Sequence, residues 1–177
     1  MMGPLRKLAG DNRGAAVIEM ALIAPVFAVM LIGIVDMSNA YTQKLALEQG
    51  AQRSIEKVMQ TTGVTTVADT IKTEAVCQVN GLNADKTCKS APITANDVTV
   101  TYRLECLSTT GAITTTQTQT DADAFDDLSC AATEREARYL DVLVQDKYKP
   151  IFPLHFTSFT AADGTYHLSA RAGMRTE

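Results

Sequence analysis

The residues of this chain whose types and spacing suggest chemistry stand near its start. In "RGAAVIEMALIAP", Arg13 to Pro25, a glycine follows a basic residue, and a glutamate stands five places beyond that glycine. Gly14 is a poor helix former that leaves the backbone accessible, so the Gly14–Ala15 bond is one that a protease at a membrane face can reach. A cut there frees the α-amino group of Ala15, which is cationic below about pH 8. Glu19 carries the opposite charge. In a bundle of copies, the amine of one chain and the Glu19 carboxylate of a neighbour can neutralise each other. The alternative is that Glu19 snorkels: it lies about 7.5 Å along a helix from Gly14, within reach of the headgroups.

That chemistry needs an element to present it. Gly14 to Val35 is an apolar run with Glu19 as its one formal charge. At a rise of about 1.5 Å per residue, some 20 residues span a hydrocarbon core of about 30 Å. The run reads as a transmembrane helix, in which a carboxylate costs a few kcal/mol and therefore marks function. Arg6, Lys7 and Arg13 stand before or at the mouth of the run, against Asp11 alone. From Asp36 onward, 13 basic residues face 18 acidic ones. A basic flank that stays in the cytoplasm and an acidic remainder that crosses follow from that asymmetry. The run is longer than the roughly 7–15 apolar residues of a cleaved secretory signal. The helical pattern also continues through Tyr41, Leu45, Leu47, Ile55 and Val58, so the helix is expected from about Ala15 to about Gln60. Its second half is amphipathic, with Leu45, Ala51 or Gln52, Ile55 and Met59 near helical spacing. Pro25 removes one backbone donor from the first half.

Thr61-Thr62-Gly63 is expected to break the helix. A shorter helix should follow from about Thr65 to Val79, with Val67, Ile71, Ala75 and Val76 on one side. The period then changes from 3.6 to 2. Asp97–Cys106, Tyr139–Tyr148 and Thr165–Ala172 alternate as half-buried strands, and short connections favour an antiparallel sheet. The fold class is α+β: a long N-terminal helix, its first half transmembrane, packed on a small antiparallel β-sheet with a short second helix. The domains are 1–14, a cytoplasmic basic leader; 15–36, the transmembrane helix; 37–60, its periplasmic extension; and 61–177, a soluble α+β domain. The Thr/Gln/Asp-rich stretch from Leu107 to Ala131 reads as a mobile surface loop. "YKPIFP", Tyr148–Pro153, reads as a turn that ends a strand.

Cys77, Cys88, Cys106 and Cys130 all lie beyond the apolar run. None has the C-x-x-C spacing of a zinc or redox motif, and the chain has two histidines, so no metal site is expected. Outside the cytoplasm disulfides are their natural state. Of the three connectivities, Cys77–Cys88 with Cys106–Cys130 is preferred because each closes a local loop. The chain carries no G-x-S-x-G, phosphate-cradling or H-E-x-x-H motif, so an enzyme is not expected, nor is a cofactor. Asp121, Asp123, Asp126 and Asp127 lack EF-hand spacing and read as a solvated acidic loop. The formal charge of −4 offers nothing to neutralise phosphates, which argues against nucleic acid.

Arg13-Gly14 followed by "AAVIEMALIAPVFAVMLIGIVDMSNAY" resembles the type IV pilin-like proteins, and in particular the TadE-like minor pseudopilins of tight-adherence (Tad/Flp) pilus systems. "YLDVLVQDKYKPIFP" and the terminal "YHLSARAGMRTE" are similar more loosely. The resemblance implies a pilin-like fold and a leader cut after Gly14 by a prepilin peptidase. It also implies a role for Glu19 in processing or assembly. The partners it implies are that peptidase, other pilins and pseudopilins, the Tad inner-membrane platform and membrane lipid. The setting would be the bacterial inner membrane or an extracellular pilus, and the work pilus biogenesis, adhesion or filament initiation. Met20 stands where major Flp pilins have tyrosine, and a sizeable domain is appended, so the resemblance points to a minor subunit. Ala15 in place of phenylalanine is a departure that bears on N-methylation. The competing reading is an uncleaved, signal-anchored periplasmic binding module whose helix is only a tether.

Overall fold

The computed structural model describes residues 13–60, 68–151 and 161–176. The expected break at Thr61-Thr62-Gly63, the Thr65–Val67 start of the second helix and the end of "YKPIFP" lie outside the described residues. Two compact units divide the chain, Met1–Asn39 and Ala40–Glu177. The first helix, α1, runs Arg13–Gln60 with Pro25 inside it. It is the one helix among the described residues long and apolar enough to cross a membrane.

In the first unit the helix exposes its apolar side chains. Val17, Leu22, Phe27, Leu31 and Ile34 are each between 60% and 70% exposed. No amphipathic stripe is needed, because every side of such a helix suits hydrocarbon. The helical ladder satisfies the backbone from within, apart from the Ala21 carbonyl, whose donor four residues on is Pro25.

The second unit is built on a four-stranded antiparallel sheet. The helix α2 spans Ala68–Asn80, β1 Val98–Leu107, β2 Ile113–Gln119, α3 Ala122–Asp126, β3 Arg135–Tyr148 and β4 Tyr166–Arg175. The strand order is β2-β1-β3-β4. Register pairs Val98 with Val144, Val100 with Val142, and Val142 in turn with Ala172. The even-numbered positions thus share one face, and that face holds the core. Leu47, Ala51 and Ile55 of α1, with Ile71 and Ala75 of α2, pack with Val98, Val100, Leu140, Val142, Val144 and Ala170.

The amphipathic seam of α1 is Leu47–Ala51–Ile55, at i, i+4, i+8, and it replaces the expected Leu45 and Met59. Leu45 is 39% exposed and Met59 53%. Gly50 lies on the seam's flank. A Cβ there would meet the Ala75 carbonyl oxygen at 3.1 Å and strike the Val79 side chain, so glycine lets α1 and α2 approach closely. Ser54, fully buried, donates to both the Gly50 and Ile71 carbonyls and ties the two helices together.

The stretch expected as a mobile loop is ordered. Ser108–Ala112 form a turn, with Gly111 at a positive φ of 83°. After it, β2 adds to the edge of β1. Threonine favours the pleated conformation, and its alternation with Gln in "ITTTQTQ" suits a strand whose two faces are both wet. In α3, Asp121 caps the N-terminus by accepting from the Asp123 and Ala124 amides. Phe125 is buried against Leu104 and Cys106. Low apolar content conceals this segment from a composition argument, because one phenylalanine and one disulfide anchor it.

Leu47→Ala should destabilise the protein by about 2–5 kcal/mol, as a buried leucine truncation does. Leu45→Ala should stay within about 0.5 kcal/mol. Chemical denaturation of the detergent-solubilised chain, followed by circular dichroism, measures both. Equal effects would place the seam on the wrong side of α1.

Candidate functional site

Gly14 and Ala15 lie in the first turn of α1, and Glu19 about one and a half turns on. The Glu19 side chain is exposed. Among the described residues, no hydrogen bond or ion pair holds its carboxylate. An acidic group near a helix N-terminus is favoured by the dipole, but that term is at most about 1 kcal/mol on an exposed helix. It does not offset placing a charge among Val17, Ile18, Met20 and Leu22. Among the described residues the carboxylate therefore lacks the partner that a membrane setting demands.

The four cysteines form two disulfides, Cys77–Cys88 and Cys106–Cys130, with Cα–Cα separations of 4.7 and 5.6 Å. The first joins the end of α2 to the loop leaving it. Asn80 holds the same loop: its amide donates to the Lys89 and Ile93 carbonyls, and its oxygen accepts from the Ile93 amide. The second joins β1 to the segment entering β3. Glu134 stands near the Cys106 and Cys130 sulphurs. Those sulphurs are bonded to each other, so they do not act as thiolate ligands. The Glu134 carboxylate accepts from the Thr114 hydroxyl.

A third cluster lies on the odd-numbered face of the sheet, opposite the apolar clusters of the core. Arg103 of β1 stacks its guanidinium over the Tyr139 ring at 4.5 Å and pairs with Glu105, itself only 8% exposed. The Asp141 carboxylate lies 2.9 Å from Arg171 Nη2 and 3.8 Å from Arg103 Nε. Gly173 stands opposite Asp141 in the register, and a Cβ there would collide with that carboxylate. The cleft between these groups is lined by Arg103, Tyr139, Asp141, Arg171, Gly173 and Arg175. Sequence alternation places Arg103, Glu105 and Arg171 on outward positions. It does not reveal that β1, β3 and β4 are neighbours, which is what gathers them.

The acids of the 121–127 segment are not grouped for a metal in the way their density suggests. Asp121 is spent on the α3 cap, and Asp126 lies 4.0 Å from Arg138. Their charge is felt nearby. Burial raises the Tyr102 hydroxyl above its ordinary range, and Asp126 and Asp121 add to that. At the turn before β4, the His167 ring and the Thr165 hydroxyl hold the Asp163 carboxyl below the usual carboxylate range.

The fold and the N-terminal geometry define a class: a chain with one apolar helix compatible with a single-pass membrane anchor, and an α+β unit beyond it. Residues 14–55 match the family described as TadE-like protein, so this segment, which holds both Gly14 and Glu19, is TadE-like. The match lies wholly within α1 and does not reach the sheet. No curated protein and no solved structure matches the chain significantly.

No thiol should react with an alkylating reagent until the protein is reduced. The Cys106→Ser, Cys130→Ser double variant should lose about 2–5 kcal/mol of stability. Alkylation of the unreduced protein, read by mass, checks the first, and denaturant unfolding the second. Reactive thiols in chain recovered from membranes would place this unit in a reducing compartment.

Proposed function

We propose that this chain is a minor pseudopilin, or pilus assembly protein, of a Tad (Flp) pilus. In this reading residues 1–14 are a cytoplasmic leader removed after Gly14 by a prepilin peptidase. Residues 15–36 sit in the inner membrane, residues 37–60 extend that helix beyond it, and the α+β unit lies in the periplasm or on a filament. The observation that carries the proposal is the TadE-like match over residues 14–55, which contains Gly14 and Glu19 at the mouth of an exposed apolar helix.

The mechanism is one of assembly. Apolar helix surface drives insertion and then side-by-side packing, while the Glu19 carboxylate remains costly until a cation reaches it. The freed Ala15 amine of a neighbouring subunit is such a cation. Pairing sets the axial register, because a slip by one helical turn would separate the charges by about 5.4 Å. Other pilins, the inner-membrane platform and the surrounding lipid are the partners this requires. The work is filament initiation, adhesion or biogenesis. The tethered-module alternative offers no use for a carboxylate at this position that none of the described residues pairs.

Glu19→Ala should leave the protein inserted and at normal abundance, yet reduce surface pili by about tenfold, the change expected when about 1.4 kcal/mol of subunit pairing is lost. Glu19→Asp should recover part of it. Counting pili by electron microscopy, with surface attachment alongside, measures the effect. Unchanged piliation in the alanine variant would contradict the assembly role.

A further inference from the structure

The odd-numbered face of the sheet is the place where an acidic protein gathers arginines. The chain's formal charge is −4. Yet Arg103, Arg171 and Arg175 line one cleft, with Asp141 as the one acid in its lining among the described residues. Counting Glu105 beside Arg103, three basic groups and two acidic ones meet there among the described residues. The donors of Arg103 and Arg171 are also incompletely used. Arg103 Nε is buried without a hydrogen bond, since Asp141 Oδ2 lies 3.8 Å away and sits closer to Arg171. The Arg171 side chain is 64% exposed, so most of its planar fork faces water. Such a fork favours a carboxylate, which it can grip through two parallel hydrogen bonds.

The matching acids are in the same sequence. Asp123 and Asp127 lie four residues apart at α3 and its C-cap, both exposed. Like charges at that spacing oppose the helix they sit on unless a cation lies between them. Asp121 adds to the local negative potential, while Asp126 is offset by Arg138 at 4.0 Å. The two surfaces cannot meet within one copy. Phe125 fastens α3 to the even-numbered face, stacking on Tyr102 at 5.4 Å and packing on Leu104 and Cys106. Arg103 and Arg171 are on the odd-numbered face. The sheet itself stands between the acids and the arginines.

We propose that the arginine cleft of one copy binds the acidic 121–127 segment of a second copy. The two surfaces lie on opposite faces of the sheet, so the contact is head-to-tail, and one pair of copies leaves an unused acid segment at one end and an unused cleft at the other. Such a contact either closes a ring or propagates. It therefore supplies a second, salt-sensitive link between subunits, separate from the helix that carries Glu19.

The test uses the full chain in detergent micelles, with Arg171→Lys to supply an amine. Copies with ordinary and heavy nitrogen are mixed, treated with a zero-length carbodiimide and digested for mass spectrometry. A cross-link between the introduced amine and Asp141 within one copy reports that the variant is folded. The expected result is a mixed-isotope peptide joining the introduced amine to Asp123 or Asp127. It should fall at least tenfold in the Asp123→Asn, Asp127→Asn variant. The within-copy link alone would overturn the proposal, and so would a between-copy link to any other carboxylate. A charge swap reads the same contact without the introduced amine. Arg171→Glu chains should lose the salt-sensitive part of their association with one another and recover it with Asp123→Lys, Asp127→Lys chains. Failure to recover would also overturn it. Neither readout depends on cleavage after Gly14, so this proposal and the pilus reading fail separately.

Discussion

The structure depends on one helix, α1, whose two halves suit unlike solvents. A segment in hydrocarbon must satisfy every backbone polar group from within, and a helix does so. From Val17 to Met37 the described side chains are almost all exposed and apolar, which water penalises and lipid does not. From Ala40 on, the same helix carries a buried seam, Leu47–Ala51–Ile55, that belongs to a protein core. The sequence accommodates the change without a break by switching from apolar on every side to apolar on one.

Against that background the polar residues sort by cost. Ser54 is buried, but its hydroxyl has two carbonyl partners, so it joins helices without penalty. Asn80 is buried and makes three hydrogen bonds, which makes it the pin of the loop that Cys77–Cys88 also closes. Glu19 differs from both. It sits in the most apolar part of the chain, and none of the described residues answers its charge. A carboxylate left in that condition is costly in hydrocarbon until a cation reaches it.

Much of the fold was legible in residue order. The period-2 alternation of Val98, Val100, Tyr102, Leu104 and Cys106 predicts β1 and its buried face, and the core confirms it. The apolar run predicts the first part of α1, and Ile71 and Ala75 predict the buried side of α2. Two things were not legible. The β2–α3 segment has too few apolar residues for a composition argument to see, yet cross-strand pairing, an Asp121 cap and one buried phenylalanine order it. The seam of α1 was misplaced because Leu45 and Met59 match helical spacing as well as Leu47 does. Only the position of α2, with Gly50 marking the close approach, decides between them. The arginine cleft was illegible for a similar reason: Arg103, Asp141 and Arg171 are distant in sequence and are joined only by strand order. The spacing of Gly14 and Glu19 could be read from the sequence because it is local; their role is part of the proposal.

The most direct test of the central claim is the intact mass of the chain recovered from membranes, with and without a prepilin peptidase. The account predicts a chain beginning at Ala15 when the peptidase is present, and the full-length precursor when it is absent. A full-length chain in both cases would contradict it, because no amine would then be freed at Ala15 to meet Glu19.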